Sequence, residues 1–450
     1  MPTLAPIVGA PRADPNASDE RFGVDEASVQ ADLADAIGAR WTRIPFGWNL
    51  IQQNGPTSWN PFVLDKNGSD KVIDAEIARG RSIAGLLVGT PAWARQNPSQ
   101  GDHSAPVNIF KPWDDPQNYW GAYCRRIAKR YAGRIDDWVI WNEVSIPPNP
   151  DGTRALWTQW QGTPEQYARV LEVAYLAIHD ANPHARVVMY GEPYWYDHGA
   201  YLTNIYNLLA KADPTNRYHG YFDVANLHLY VGPPSFYPII SGVRALLQAH
   251  GWGDKKIWVS ETNVEPYDDP TRPRPHTQFR VTMQAQAAFL VDAFASYIAA
   301  GADRVAVYRM ADGNEPAPLG MVNGAGQLRP VAHTFRFLVN LLKGATGGPG
   351  FYTPGDKLDG KSGVFKIVLS EPGKRITVLW NQDGVDATYT LPARAAQATR
   401  YDKFGHATTV MPSGGAYRFD LPGGHDYTNP YDQRIPTVGG DPVILVERTP

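Results

Sequence analysis

Two glutamates stand in nearly the same local setting. Glu143 lies in DDWVIWNEVSIPP at 136–148, and Glu261 lies in KIWVSETNVEP at 256–266. Each follows a short apolar run that reads as a buried strand. Each precedes a loop rich in Pro, Asn or Asp. A carboxylate at such a junction is either a salt-bridged strand end or a working group. Two of them held at one height would repel each other unless a site uses both. One carboxyl can then donate a proton while the other acts as a base or nucleophile.

The elements that would hold them follow one rhythm from about residue 20. A short apolar run ends near Pro, Gly, Asn or Asp, and a longer segment with helical period follows. There are eight rounds. The strand candidates are Arg21–Val24, Arg40–Phe46, Ser82–Gly89, Asp137–Asn142, Arg186–Gly191, Phe222–Tyr230, Lys256–Ser260 and Arg304–Met310. Each is rich in Val, Ile, Leu or aromatics, as strands of a parallel sheet buried on both faces must be. Among the intervening helices, EQYARVLEVAYLAIHDANP carries apolar residues at Tyr167, Val170, Leu171, Ala174, Tyr175 and Ile178, the stripe of a helix with one buried face. Thr163 precedes it as an N-terminal signal. A second long helix is expected over 278–301, stopped by Gly301. Eight strand–helix units predict an α/β protein with a closed (β/α)8 TIM barrel. An open doubly wound sheet would show a Gly-rich turn after its first strand, and Phe22-Gly23-Val24-Asp25 has none.

After Leu342 the pattern changes. GATGGPG at 344–350 reads as a connection. The runs GVFKIVLS, RITVLWN, ATYTLP, AYRFDLP and DPVILVE, separated by turn residues, read as a C-terminal antiparallel β-sandwich. The expected division is a catalytic barrel at 1–343 and the sandwich at 344–450. Trp380 and Tyr401 fall on its strands and are expected in its core. The domain either binds carbohydrate or packs on the barrel.

Barrel enzymes place their chemistry at the C-terminal strand ends, where Glu143 follows strand four and Glu261 follows strand seven. Two opposed carboxyls there suit cleavage of a glycosidic bond, one protonating the leaving oxygen and one meeting the anomeric carbon. The chain resembles clan A of the glycoside hydrolases, the four/seven barrel superfamily. Trp141-Asn142-Glu143 after strand four and Glu261 after strand seven carry the resemblance, over roughly 20–342. It implies that Glu143 is the acid/base, that Asn142 contacts the sugar 2-hydroxyl and that Glu261 is the nucleophile. Arg43 in TRIPFGW takes the place of the strand-two arginine beside the nucleophile. His228-Leu229-Tyr230 matches a strand-six His-x-Tyr that supplies a sugar contact and a hydroxyl bonded to the nucleophile. GTPAWA at 89–94 and the closing GGDPVILVE are similar to family thirty-nine-like bacterial glycosidases. Many clan members end strand eight in a Trp that floors the sugar site. Here the strand reads VAVYRMADGN, so Tyr308 or Met310 must serve, and Trp93 after strand three is the alternative stacking face. Glu192, after strand five, either binds a sugar hydroxyl or caps a loop. Trp48, Trp113 and Trp195 either line the cleft or belong to the core.

The resemblance implies hydrolysis with retention. Transglycosylation by the same residues and a barrel that binds carbohydrate without cleaving it are the rival readings. Retention asks for carboxyls about 5–5.5 Å apart, inversion for about 6.5–9.5 Å. The bulk sequence narrows the partners. Among 450 residues the net charge is −3, with no basic excess to attract a phosphate backbone, so nucleic acid is not an expected partner. No apolar run reaches the ~18–20 residues of a membrane span. The aromatic content of 12% includes 14 Trp and 23 Tyr, which supplies faces on which pyranose C–H groups pack. His103, His198 and His219 lie in polar loops without a ligand motif, so neither a metal nor another cofactor is expected. The single Cys124 sits in a helical pattern and reads as a buried thiol. The opening MPTLAPIVGAPRADPN does not read as an intact signal peptide, a chain with its signal removed would read the same, and both export and a cytoplasmic location stay open. Asn16-Ala-Ser and Asn67-Gly-Ser match the glycan acceptor pattern.

Overall fold

A computed structural model of the chain describes residues 19–60, 69–149, 158–277, 279–347, 352–353, 363–428 and 435–448. The acceptor motifs at Asn16 and Asn67 begin outside the described residues, as do positions 150–157 of the loop after strand four and 348–350 of the connection after Leu342. All eight expected strands are present: β1 (Phe22–Val24), β2 (Trp41–Gly47), β3 (Ser82–Val88), β4 (Asp137–Ile140), β5 (Arg186–Val188), β6 (Val224–Leu229), β7 (Lys256–Thr262) and β8 (Arg304–Val307). They close into a barrel in the order β1-β8-β7-β6-β5-β4-β3-β2. The pairing is parallel, with Arg43 of β2 opposite Ala84 of β3 and Leu87 of β3 opposite Ile140 of β4.

The helices between them are α1 (Ala31–Ile37), α2 (Ser69–Ala78), α3 (Tyr119–Tyr131), α4 (Pro164–Ala181), α5 (Ala200–Ala212), α6 (Phe236–Ala249), α7 (Met283–Ala299) and α8 (Pro330–Leu341). Thr163 and Gln166 form a reciprocal capping box at the start of α4. Of the expected α4 stripe, Tyr167, Val170, Leu171, Ala174 and Ile178 are buried and Tyr175 is half-buried. The helix expected over 278–301 starts later, at Met283. Arg280–Val281 pair instead as a short strand with Glu265–Pro266, and the Thr282 hydroxyl accepts from the Ala285 amide as the cap. Cys124 is buried in α3.

By internal packing the chain forms two compact units. One comprises Met1–Ala39, Tyr230–Gly242 and Thr262–Pro450; the other comprises Arg40–Leu229 and Val243–Glu261. The first unit holds the C-terminal sheets. Their strands are β9 (Val364–Glu371), β10 (Lys374–Asn381), β11 (Ala387–Pro392), β12 (Ala398–Tyr401), β13 (Ala407–Val410), β14 (Ala416–Leu421) and β15 (Val443–Arg448). One sheet runs β9-β10-β15-β12-β13, with Tyr352–Thr353 beyond β9, and β11 pairs with β14. All ladders are antiparallel. Leu379, Leu391, Tyr417, Phe419, Leu421, Val443 and Leu445 form the core between the sheets. Trp380 is fully buried and stacked on Phe365 at 5.0 Å, while Tyr401 meets Phe337 of α8 at 5.4 Å. Helix α7 packs on β9 and β10, which explains why residues 286–299 are buried on every side. Among the described residues no helix is long and apolar enough to cross a membrane.

Candidate active site

The second unit contains both glutamates. β4 delivers the first. The ladder with β3 runs on for one residue, the Trp141 amide donating to Leu87 O at 2.9 Å, and then the backbone turns. Trp141 has φ 67° and Glu143 φ 43°. Left-handed backbone costs a bulky residue about 1–3 kcal/mol and persists only where packing over-determines it. The packing is present. Trp141 is fully buried, its indole N–H donates to Gln159 O at 2.7 Å, and its ring lies 4.8 Å from Trp160 and 5.9 Å from Trp120. Trp141 therefore anchors the turn, while Asn142 and Glu143 carry the polar groups.

Arg43 of β2 organises those groups. Its guanidinium binds Glu261 at the end of β7, donates to Asn142 Oδ1 at 3.2 Å, and donates to His228 Nε2 at 3.2 Å. Because a guanidinium only donates, Nε2 must accept. The Ser260 hydroxyl, 3.1 Å from the same nitrogen, donates to it as well. The imidazole proton then sits on Nδ1 and is donated to Glu143 Oε1 at 2.8 Å. His228 thus spans the two carboxyls, with Nε2 also 3.5 Å from Glu261 Oε1. Its ring is wholly buried and both nitrogens are engaged by protein, so it holds the carboxyls instead of the sugar contact expected of it. Gly191 makes room for it: a Cβ at 191 would come within 1.8 Å of Nε2.

Burial pushes the Glu143 carboxyl above the usual range, and the Glu261 charge adds to this, while the hydrogen bond from His228 and the charge of Arg43 oppose it. A carboxylate oxygen of Glu143, a nitrogen of His228 and a carboxylate oxygen of Glu261 lie within 4.8 Å of one another. These donor types suit a metal. Arg43 already supplies positive charge to Glu261 and to His228 Nε2, and a second cation would meet it at contact distance.

Glu192 departs from the sugar-binding expectation. β5 is bulged beyond Val188. Val188 pairs with Val224 and Glu192 with Leu227, so β5 advances four positions while β6 advances three. The bulge turns Glu192 inward, to complete burial. The Tyr190 hydroxyl meets its Oε2 at 2.5 Å and the Ser145 hydroxyl donates to its Oε1 at 3.2 Å. Burial pushes this carboxyl up to about 8 against donation from Tyr190 and Ser145, with the charges of Asp197 and Glu143 adding to the rise.

The aromatic candidates divide. Trp48 is core. Trp93 is half-buried, donates its N–H to Gln52 O at 2.7 Å and meets Trp48 and Tyr119 edge-on. Trp113 and Trp195 are half-buried. Tyr230 and Tyr308, half-buried just after β6 and β8, belong to the first unit, where Met310 is fully buried. The residues missed from sequence are Ser260, Gly191, Tyr190 and Ser145. Tyr190 and Glu192 at i and i+2 were the one readable signal, since alternate strand residues share a face.

No family model matches the sequence, and no curated protein does. Solved structures share its fold. A family 39 glycoside hydrolase from the gut symbiont Bacteroides cellulosilyticus WH2 superposes with TM-score 0.70 at 14% identity, over 97% of this chain and 83% of that one. A monomeric β-xylosidase from Caulobacter crescentus CB15 gives 0.58 at 15% identity, over 98% and 97%. A family 30 subfamily 8 xylanase, Xyn30A, from Clostridium acetobutylicum gives 0.57 at 14%, over 98% of each. The barrel with its C-terminal sandwich is the fold of these glycoside hydrolases, as the resemblance implied.

Proposed function

We propose that this chain is a retaining glycoside hydrolase cleaving β-O-glycosidic bonds of a plant or microbial oligo- or polysaccharide, with Glu143 as acid/base and Glu261 as nucleophile. The observation that carries this reading is the approach of carboxylate oxygens of Glu143 and Glu261 to within 4.8 Å. Double displacement uses carboxyls about 5–5.5 Å apart, whereas inversion needs about 6.5–9.5 Å to admit a water. The neighbours named as a β-xylosidase and a xylanase make β-xylosides the first substrates to try. In this reading residues 1–343 are the catalytic part and 344–450 its accessory sandwich.

The hydrogen bonds supply the division of labour. Arg43 contacts Glu261 directly and keeps it anionic, ready to attack the anomeric carbon. Glu143 starts protonated. His228 Nδ1–H occupies Oε1, so the proton resides on Oε2, the oxygen left to face a leaving group. As Glu261 attacks, that proton passes to the glycosidic oxygen and a glycosyl ester forms on Glu261. Glu143, now anionic, takes a proton from water, and the hydroxide equivalent releases the sugar with its original configuration. With Oδ1 committed to Arg43, the Asn142 amide N–H2 remains for a sugar hydroxyl.

The test is trapping and rescue. A 2,4-dinitrophenyl 2-deoxy-2-fluoroglycoside should label Glu261, read by peptide mass spectrometry. Glu143→Ala should regain turnover of 2,4-dinitrophenyl glycosides with azide, giving a β-glycosyl azide, and Glu261→Ala should lose on the order of 10⁴-fold or more in kcat/KM. A label on another residue, or an α-configured first product by NMR, overturns the reading.

A further inference from the structure

Glu192 has no place in that mechanism, yet it is a fully buried acid tied to the catalytic turn by two routes. Its Oε1 accepts from the hydroxyl of Ser145, two residues beyond Glu143. Its backbone carbonyl accepts from the His228 amide at 3.0 Å, and His228 donates through Nδ1 to Glu143. The residue before it, Gly191, is the one against which the His228 ring rests. One bulge in β5 therefore fixes both the loop that follows Glu143 and the imidazole that holds Glu143 Oε1.

We propose that Glu192 is a positioning residue for the acid/base: it clamps the Glu143–Ser145 turn so that the Glu143 proton is delivered to the leaving oxygen. This rests on the glycosidase reading. A protonated carboxyl suits the clamp. It keeps one oxygen as acceptor for Ser145 and the other in short contact with the Tyr190 hydroxyl. The groups that face it are consistent with neutrality: Tyr190 on its own strand, Glu143 after β4, Tyr167 on α4, Tyr194 and Asp197 in the following loop, and Tyr201 and Tyr206 on α5. Ionisation would put a second negative charge beside Glu143.

The readout that separates positioning of a proton donor from general damage is the leaving group. kcat/KM reports the first, glycosyl-transferring step. A phenyl glycoside needs the acid there and a 2,4-dinitrophenyl glycoside hardly does. Glu192→Ala should lower kcat/KM for the phenyl glycoside by about 30-fold or more and for the dinitrophenyl glycoside of the same sugar by less than about 3-fold. Glu192→Gln, neutral and able to accept from Ser145, should stay within about 3-fold of the wild type on both at pH 6. Ser145→Ala, which leaves Glu192 in place, should give a smaller loss with the same leaving-group bias. Equal losses on both glycosides from Glu192→Ala, a Glu192→Gln variant as impaired as Glu192→Ala, or an unaffected Ser145→Ala would each overturn the proposal.

A readout free of turnover accompanies these. Because the folded carboxyl titrates well above an exposed glutamate, the wild type binds a proton that the unfolded chain has released, which disfavours folding as pH rises from the unfolded value to about 8. Glu192→Gln should therefore gain in Tm relative to the wild type over that window and hold a constant gap above it. A gap that does not change with pH overturns the neutral acid. Should no glycoside be cleaved and no label form on Glu261, the glycosidase reading fails, and the Tm gap still reports on the charge of Glu192.

Discussion

Among the described residues, two buried clusters each built from one arginine and two carboxylates are wired differently. In the first unit Arg329 donates through Nε to Asp269 Oδ2 at 2.7 Å and through both terminal nitrogens to Asp312 at 2.9 and 2.7 Å, and Gly320 O accepts as well. The three side chains are at most 2% exposed. In the second unit Arg43 touches Glu261, and the ring of His228 is hydrogen-bonded both to Arg43 and to Glu143. The titrations follow the wiring. Burial raises Asp269, but hydrogen bonds from Thr271 and the Arg329 charge outweigh it and bring the carboxyl below its usual value. Burial raises Glu143, and an imidazole in place of a guanidinium does not outweigh it. Direct contact with a guanidinium draws a buried acid toward its charged form, and burial beside an imidazole draws it toward its protonated form. The first arrangement closes a structure. The second would suit the proposed double displacement, which needs one acid charged and its neighbour protonated.

Exchanging the damage tests this most severely. Arg43→Met should lower kcat/KM by about 10²–10³-fold, the usual cost of removing a preorganised charge partner. Arg329→Met strands two buried carboxylates and should cost about 3–5 kcal/mol in denaturant unfolding. At temperatures where it remains folded, its kcat/KM should stay within about 5-fold of the wild type. If Arg329→Met lost activity as Arg43→Met does while keeping its stability, the division between a structural and a working cluster would not hold.

The sequence made some of this wiring readable. Eight apolar runs located eight strands, because a parallel strand buried on both faces has few alternatives. The alternating C-terminal runs located five strands of the sandwich. Ala398–Tyr401 is marked only by Tyr401, and Ala407–Val410 escapes, because most of their residues are exposed or half-buried and carry no alternation. Strands four and five were read as running to Asn142 and Gly191 but end at Ile140 and Val188. The cause is backbone that ordinary residues rarely adopt: left-handed φ at Trp141 and Glu143, and a bulge before Glu192. Neither Trp nor Glu announces a positive φ as Gly or Asn would. The glutamates were legible as acids at strand ends. That His228 would lie between them, with its Nε2 committed to Arg43 and Ser260, is a fact of four strands meeting, and no local pattern encodes it.

That relay gives the next prediction, a shift of about one pH unit. In the proposed mechanism Glu143 is protonated to act as the acid, so kcat/KM should fall as pH rises through its pKa, which lies above the usual glutamate range. His228→Gln keeps an acceptor near the Nε2 position for Arg43 and Ser260 but removes the Nδ1–H donor that holds the Glu143 pKa down, so that pKa rises. The alkaline limb should move to higher pH. His228→Asn keeps a donor near Nδ1 and loses the Nε2 acceptor, so its limb should stay in place while kcat falls. Limbs that move together in the two variants would mean that the imidazole does not act through that one hydrogen bond.

The smallest effect belongs to the closed cluster and carries the opposite sign. A carboxyl held below its unfolded value of 3.8 stabilises the fold above that pH and loses the contribution as pH falls through its folded pKa. Asp269→Asn cannot lose what it never had. The stability gap between wild type and Asp269→Asn should therefore be constant from neutral pH down to about 4 and close below that. Urea melts across this range measure it, with the acid midpoint of the variant displaced by only a few tenths of a pH unit. Glu143→Gln should show the reverse dependence. Its raised carboxyl makes the wild type progressively less favoured as pH rises from 4.5 toward the folded value, so that gap opens upward in pH. A pair of gaps that open in opposite directions, from two acids each sharing a buried cluster with an arginine, would tie the sign to their partners: the Thr271 hydroxyl and amide and the Arg329 guanidinium at Asp269, and the His228 imidazole at Glu143.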